Sequence, residues 1–197
     1  MEVDLSQLKP DTRNLDQVRK VLFDREFAKT ANNIDLYFMY RGVEENNGIR
    51  YDITVIPANM LGQEFSKTKG HVHIGKYQEV YTILEGSALY LFQKAKGDII
   101  EDVFVVKAQK GDVVVIPSDY GHVSINPSPT EELKMANWIS SDCKSDYSDF
   151  ENLQGACYYY ISPGTWVKND HYKNVPPLRF QEPLKEVPKD LDFLKVK

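Results

Sequence analysis

From Ile34 onward the apolar positions come in short bursts rich in Val, Ile, Tyr and Phe, broken by turn residues about every ten positions. The pattern predicts strands at 35–43, 49–57, 79–85, 87–94, 101–107, 112–116, 122–125, 133–140 and 156–161. The breaks carry turn chemistry: Asn46-Asn47-Gly48, Lys96-Gly97-Asp98, Lys110-Gly111-Asp112 and Asn126-Pro127-Ser128-Pro129. Upstream the pattern differs. Leu15, Val18, Val21 and Leu22 recur at helical spacing among charges, which predicts one amphipathic helix over 12–28, lying as an accessory on something larger. Many short strands without long helices between them predict a mainly β fold, an antiparallel sandwich or barrel. Beyond it, Pro163, Pro176, Pro177, Pro183 and Pro188 stand among charges, a composition suited to an arm that wraps a surface and can contribute to a dimer. The expected organisation is a single domain: a core of about 34–161, a helical N-terminal extension of about 1–33 and a C-terminal arm of about 162–197.

Composition narrows the function classes. At 197 residues the chain can bury a core without disulfides or structural zinc. With 24 Lys+Arg against 29 Asp+Glu it lacks the basic stripe needed to neutralise phosphates, so nucleic acid is not the expected partner. No apolar run reaches the roughly 20 residues that span a bilayer, and Met1-Glu2-Val3-Asp4-Leu5 lacks a signal peptide's basic start and apolar core. A cytoplasmic protein with no membrane partner is the expectation. Cys143 and Cys157 have no CxxC spacing and read as two free thiols. The pairs Glu44-Glu45 and Glu131-Glu132 read as solvated loops.

The chemistry concentrates in the histidines. Three of the four lie in two places, His71-Val72-His73 and His122. Residues i and i+2 of a strand share a face, so His71 and His73 can aim two imidazoles at one interior point. Neutral imidazole binds divalent iron, nickel, copper, manganese or zinc. Glu79, where the next strand begins, supplies a fourth, harder ligand. Such a set leaves coordination positions open, as a catalytic metal requires. His171, alone among Asn and Lys, reads as solvated, and Tyr158-Tyr159-Tyr160 as a strand packed on both faces.

The frame around these residues reads Gly70-His71-Val72-His73, Glu79 and Gly86, then Gly111, Pro117, His122 and Asn126. It resembles the two motifs of the cupin superfamily, whose fold is a double-stranded β-helix, or jelly-roll, barrel. The gap from His73 to Glu79 is longer than in most cupins, and Gly121 stands directly before His122. A narrower resemblance accounts for that gap. Thr68-Lys69-Gly70-His71-Val72-His73, Glu79-Val80-Tyr81, Gly86 and Leu91-Phe92-Gln93 look like the signature of the archaeal cupin-type glucose-6-phosphate isomerases, with Thr54-Val55, Glu64-Phe65 and Asp146-Tyr147 also similar. The resemblance covers roughly residues 50 to 160. It implies interconversion of glucose 6-phosphate and fructose 6-phosphate by a homodimer with one divalent metal per subunit, usually Fe2+, with Mn2+, Ni2+ or Zn2+ as alternatives.

Under that resemblance His71, His73, Glu79 and His122 hold the metal. Glu79 is the leading proton carrier and Tyr147 its assistant, although a carboxylate held by a cation is a poor base and a hydride shift is the alternative. Thr54, Thr68 and Gly70 bind the phosphate of the sugar phosphate substrate, with Lys69 or Lys76 lending charge and Tyr77 beside them. The family carries a histidine and a tyrosine where this chain has Ser145 and Ile139, so no role passes to those two positions. Two rival readings stand. One is an iron-dependent dioxygenase on the same ligand set, which predicts oxygen consumption; the other is a sugar-binding cupin without turnover.

Overall fold

The computed structural model describes residues 3–195; the chain ends 1–2 and 196–197, which belong to the expected extensions, lie outside the described residues. Sixteen strands are named in chain order. They are β1 (Asp11–Asn14), β2 (Asp35–Asn46), β3 (Ile49–Ile56), β4 (Met60–Leu61), β5 (Glu64–Phe65), β6 (Val72–Ile74), β7 (Glu79–Glu85) and β8 (Ser87–Lys96). They continue with β9 (Ile99–Gln109), β10 (Val113–Ile116), β11 (Gly121–Ile125), β12 (Leu133–Ser140), β13 (Lys144–Asp146), β14 (Tyr158–Ile161), β15 (Thr165–Lys168) and β16 (Arg179–Gln181).

One sheet runs β1-β2-β3-β12-β7-β10 and the other β11-β8-β9-β16. Neighbours β3, β12 and β7 are far apart in sequence, as the crossing connections of a jelly-roll require. The mainly β barrel expected from the pattern is therefore formed. Its interior is filled by Leu36, Ile83, Tyr90, Phe92, Phe104 and Met135, all buried, with the Phe92 and Phe104 rings stacked 4.7 Å apart. Strand β8 is buried on both faces. Gln93 lies on the second face, where its amide donates to the Tyr172 hydroxyl at 3.0 Å and its carbonyl accepts from the Cys157 N–H at 2.7 Å. Gly86 turns β7 into β8 at φ +74°, with the Glu132 carbonyl where a Cβ would stand. Cys143 and Cys157 are free and buried.

The single helix expected over 12–28 does not form. Residues 11–14 pair antiparallel with β2 instead, and 3-10 turns follow at Leu15–Gln17 and Arg19–Val21. Leu15, Val18 and Val21 are three apart, the repeat of a 3-10 turn, and all three are buried. Asn14 and Gln17 close a reciprocal capping box, and Asp24 caps a separate short helix, α1 (Arg25–Thr30). Apolar spacing thus marked the buried face, while capping side chains at positions 14 and 24 cut the run into turns. After β14 the chain lays β16 parallel to β9, and its end returns to bury Leu194 against Val80 and Val113 on the outer face of the larger sheet.

Candidate metal and substrate site

Strand pairing brings the three histidines together. His71 and His122 bond backbone to backbone in both directions, at 3.2 and 3.0 Å. His73 follows on β6 with the same facing, and Glu79 opens β7, so four side chains from three parts of the sequence meet inside the barrel. The His71 and His122 ring centroids are 4.4 Å apart, and each is 5.2 Å from His73. One ring nitrogen from each histidine lies within 4.8 Å of the others. The Oε2 atom of Glu79 is 3.5 Å from His73 Nε2 and 3.6 Å from His122 Nε2.

These donors suit a cation. His73 Nε2, Glu79 Oε2 and both ring nitrogens of His122 are buried without a hydrogen-bond partner. Buried polar atoms are almost always satisfied, so a cluster of orphans aimed at one point is the mark of a ligand set. The carbonyl of Tyr77 stands 3.2 Å from His73 Nδ1, which fixes Nδ1 as the protonated nitrogen and leaves the Nε2 lone pair free. Burial, then the charge of His73, holds His71 down at about 3; burial, then the other two histidines, holds His122 well below its ordinary value. Burial also acts to lower His73, but Glu79 carries it above the ordinary value. Asn137 on β12 donates to Glu79 Oε1 at 2.6 Å, so one carboxylate oxygen is held and the other faces the histidines.

A cavity of about 70 Å³ opens on this cluster. Inward residues of β3 at every second position, Arg50, Asp52 and Thr54, form one wall. Thr68, Lys69 and Gly70 lead into the histidines along another. Gly70 sits at φ +83°, and a Cβ there would meet the Phe150 ring at 2.6 Å and Val123 at 2.7 Å. The Thr68 hydroxyl accepts from the Ser124 N–H at 3.0 Å, and the Lys69 N–H donates to the Tyr37 hydroxyl at 3.2 Å. The Lys69 ammonium is paired with Glu151. It also stands 5.1 Å over the ring of Tyr147, which itself lies 5.5 Å from His71.

A family model described as glucose-6-phosphate isomerase matches residues 11–177. The chain belongs to the glucose-6-phosphate isomerase family. Among curated relatives, the glucose-6-phosphate isomerase of Pyrococcus abyssi is 28% identical over 105 residues, 53% of either chain. The glucose-6-phosphate isomerase of Thermococcus litoralis is 26% identical over 149 residues, 73% of this chain and 76% of that one. The chain thus spans about half the length of the first and three quarters of the second. Among solved structures, a Klebsiella pneumoniae protein with a double-stranded β-helix domain aligns over 56% of this chain and 78% of its own, at 16% identity and a TM-score of 0.41.

Seen as a member of that family, the chain gathers most of the residues that sequence reasoning selected. Thr54, Thr68, Gly70, His71, Glu79, His122 and Tyr147 line the one cavity, with Lys69, Ile139 and Ser145. Lys76 and Tyr77 do not line it: the side chain of Lys76 points to solvent, and Tyr77 acts through its carbonyl on His73. The reason is the turn between β6 and β7, which carries them outward before the chain re-enters at Glu79. His171 is exposed and bonds Gln154 at 3.1 Å. Sequence reasoning missed Tyr37, Arg41, Arg50, Asp52 and Asn137. Their only signal was alternation along β2, β3 and β12, which marks a facing but no chemistry.

Proposed function

We propose that the chain is a metal-dependent isomerase interconverting glucose 6-phosphate and fructose 6-phosphate, working as a cytoplasmic homodimer with one divalent ion per subunit, Fe2+ first. The observation that carries this reading is the buried group of unpartnered donors, His73 Nε2, His122 Nε2 and Glu79 Oε2, beside His71. His71, His73, Glu79 and His122 would hold the ion. Bound there, it supplies Lewis acidity to the carbonyl and hydroxyl oxygens of an open-chain sugar.

The side chains divide the remaining work. Thr54, Thr68 and the backbone at Gly70 bind the phosphate, which sets C1 and C2 beside the histidines. Glu79 takes a proton from one of these carbons and returns it to the neighbour on the same face, as a single carboxylate can for adjacent carbons of a cis-enediol. Tyr147, alongside His71, assists at the sugar oxygens. The polar lining, with Arg41, Arg50 and Lys69 each held by a carboxylate, suits a hydroxylated substrate better than the apolar one expected of an oxygen-activating site.

The test is by substitution. His71→Ala and His122→Ala each lose metal and turnover together, read by metal analysis and a coupled glucose 6-phosphate assay, whereas His171→Ala matches wild type in both. A metal-free His71 variant with full turnover would contradict the reading.

A further inference from the structure

A phosphate dianion in a half-buried cavity calls for a positive charge that is not already spent. Lys69 is paired with Glu151, and Lys76 lies outside the cavity. Arg41 is paired with Asp11 at 3.2 Å and Arg50 with Asp52 at 2.8 Å. Arg13 differs from all of these. Among the described residues no carboxylate oxygen lies within 4.0 Å of it, and its Nε is buried with no hydrogen-bond partner. The guanidinium also meets the Tyr37 hydroxyl, so it is the Nε–H that stays dry and unpaired, a costly state that an acceptor from outside the chain would relieve.

Its place in the fold says which acceptor. Arg13 lies opposite Tyr37 in the β1–β2 pairing, and cross-strand partners point to the same side. Tyr37 lines the cavity and accepts from the Lys69 N–H, one residue after Thr68 and one before Gly70. The guanidinium carbon of Arg13 is 5.6 Å from the centre of the Tyr147 ring, on the same wall. Its charge also reaches Tyr37, where it opposes the upward effect of burial, and His71. The guanidinium, paired with no carboxylate, therefore stands beside Tyr37 and Tyr147 at the Thr68-Lys69-Gly70 end, next to the lining residues rather than among them, and away from the wall where Arg50 is bound to Asp52.

We propose that Arg13, delivered by the N-terminal edge strand, is the cation that binds the phosphate group of the substrate in this cavity. This rests on reading the cavity as a sugar phosphate site. A planar guanidinium can give two parallel N–H donors to a phosphate, a geometry an ammonium cannot match.

The experiment is calorimetric titration of inorganic phosphate into metal-loaded full-length wild type, Arg13→Met and Arg13→Lys, with fructose 6-phosphate kinetics on the same preparations. Phosphate affinity falls about 10- to 100-fold in Arg13→Met, the range for losing a charged hydrogen-bond pair. Arg13→Lys recovers part of it, and KM rises while kcat stays near wild type. Equal affinity in wild type and Arg13→Met overturns the assignment, and so does a wild type that binds no phosphate. Should Arg13→Met not fold, Arg13→Lys decides: wild-type phosphate affinity there overturns the bidentate role, and a severalfold loss supports it. A wild type that binds phosphate through Arg13 yet never isomerises fructose 6-phosphate keeps this assignment and removes the isomerase reading alone.

Discussion

Asn137 decides which oxygen of Glu79 is available, because its amide can only donate to Oε1 from where β12 places it. One carboxylate oxygen is held in that hydrogen bond, while the second remains unpartnered and faces His73 and His122. Glu79 thus presents one free oxygen to the histidines, which suits the ligand and proton-carrier roles proposed for it. Glu79→Gln keeps a ligand oxygen and removes the base. Its turnover should fall about 10²- to 10⁴-fold with KM little changed, and wild-type turnover in deuterated water should place deuterium at C2 of the product. A label-free product would point to hydride transfer. At this scale the meeting of His71, His73 and His122 was legible, since His71 and His73 share a face by simple alternation. Asn137, Arg13 and Arg50 were not, because their roles depend on which strand lies opposite, and register is not written locally.

The elements show the same division. Strands with sustained alternation, such as β3, β7, β8 and β12, fall within two residues of where the pattern puts them. The short strands β1, β4, β5, β6, β13, β15 and β16, two to four residues each, carry too little pattern to be seen and exist through their partners. The N-terminal segment misled for a different reason: its apolar spacing satisfies a helix and successive 3-10 turns alike. A buried ion pair also pins these turns. Glu64 accepts from the Phe23 N–H at 2.6 Å and from Lys67, whose ammonium also donates to the Val21 carbonyl at 3.0 Å. Burial lifts the Glu64 carboxyl, and Lys67 opposes that lift. Glu64→Leu leaves Lys67 buried without its anion, so it should cost about 3–5 kcal/mol in denaturant unfolding. A loss below 1 kcal/mol would show that the turns hold without the pair. Because β1 precedes these turns, Arg13 should be displaced in the same variant and phosphate affinity should fall with stability.

Across the whole molecule, the barrel uses sequence distance to gather chemistry. Residues 37, 50, 71, 79, 122, 137 and 147 reach one cavity because β12 lies between β3 and β7, and the His71 backbone bridges to His122. A rigid two-sheet wall holds the donors at fixed spacing before any ion arrives, so little reorganisation opposes binding. With a net charge of -5 the chain still brings Arg41, Arg50 and Lys69 to the cavity lining, each held by a carboxylate. Under the proposed function the three-histidine, one-carboxylate cluster works as a metal centre for aldose–ketose isomerisation. The most direct measurement is conversion of fructose 6-phosphate to glucose 6-phosphate by chelator-treated protein, with and without added ferrous, manganese, nickel or zinc ion. Turnover that disappears with the chelator and returns with stoichiometric metal is the predicted result. A flat trace with one ion demonstrably bound per chain would contradict it, and measurable oxygen uptake in that state would point to the dioxygenase alternative.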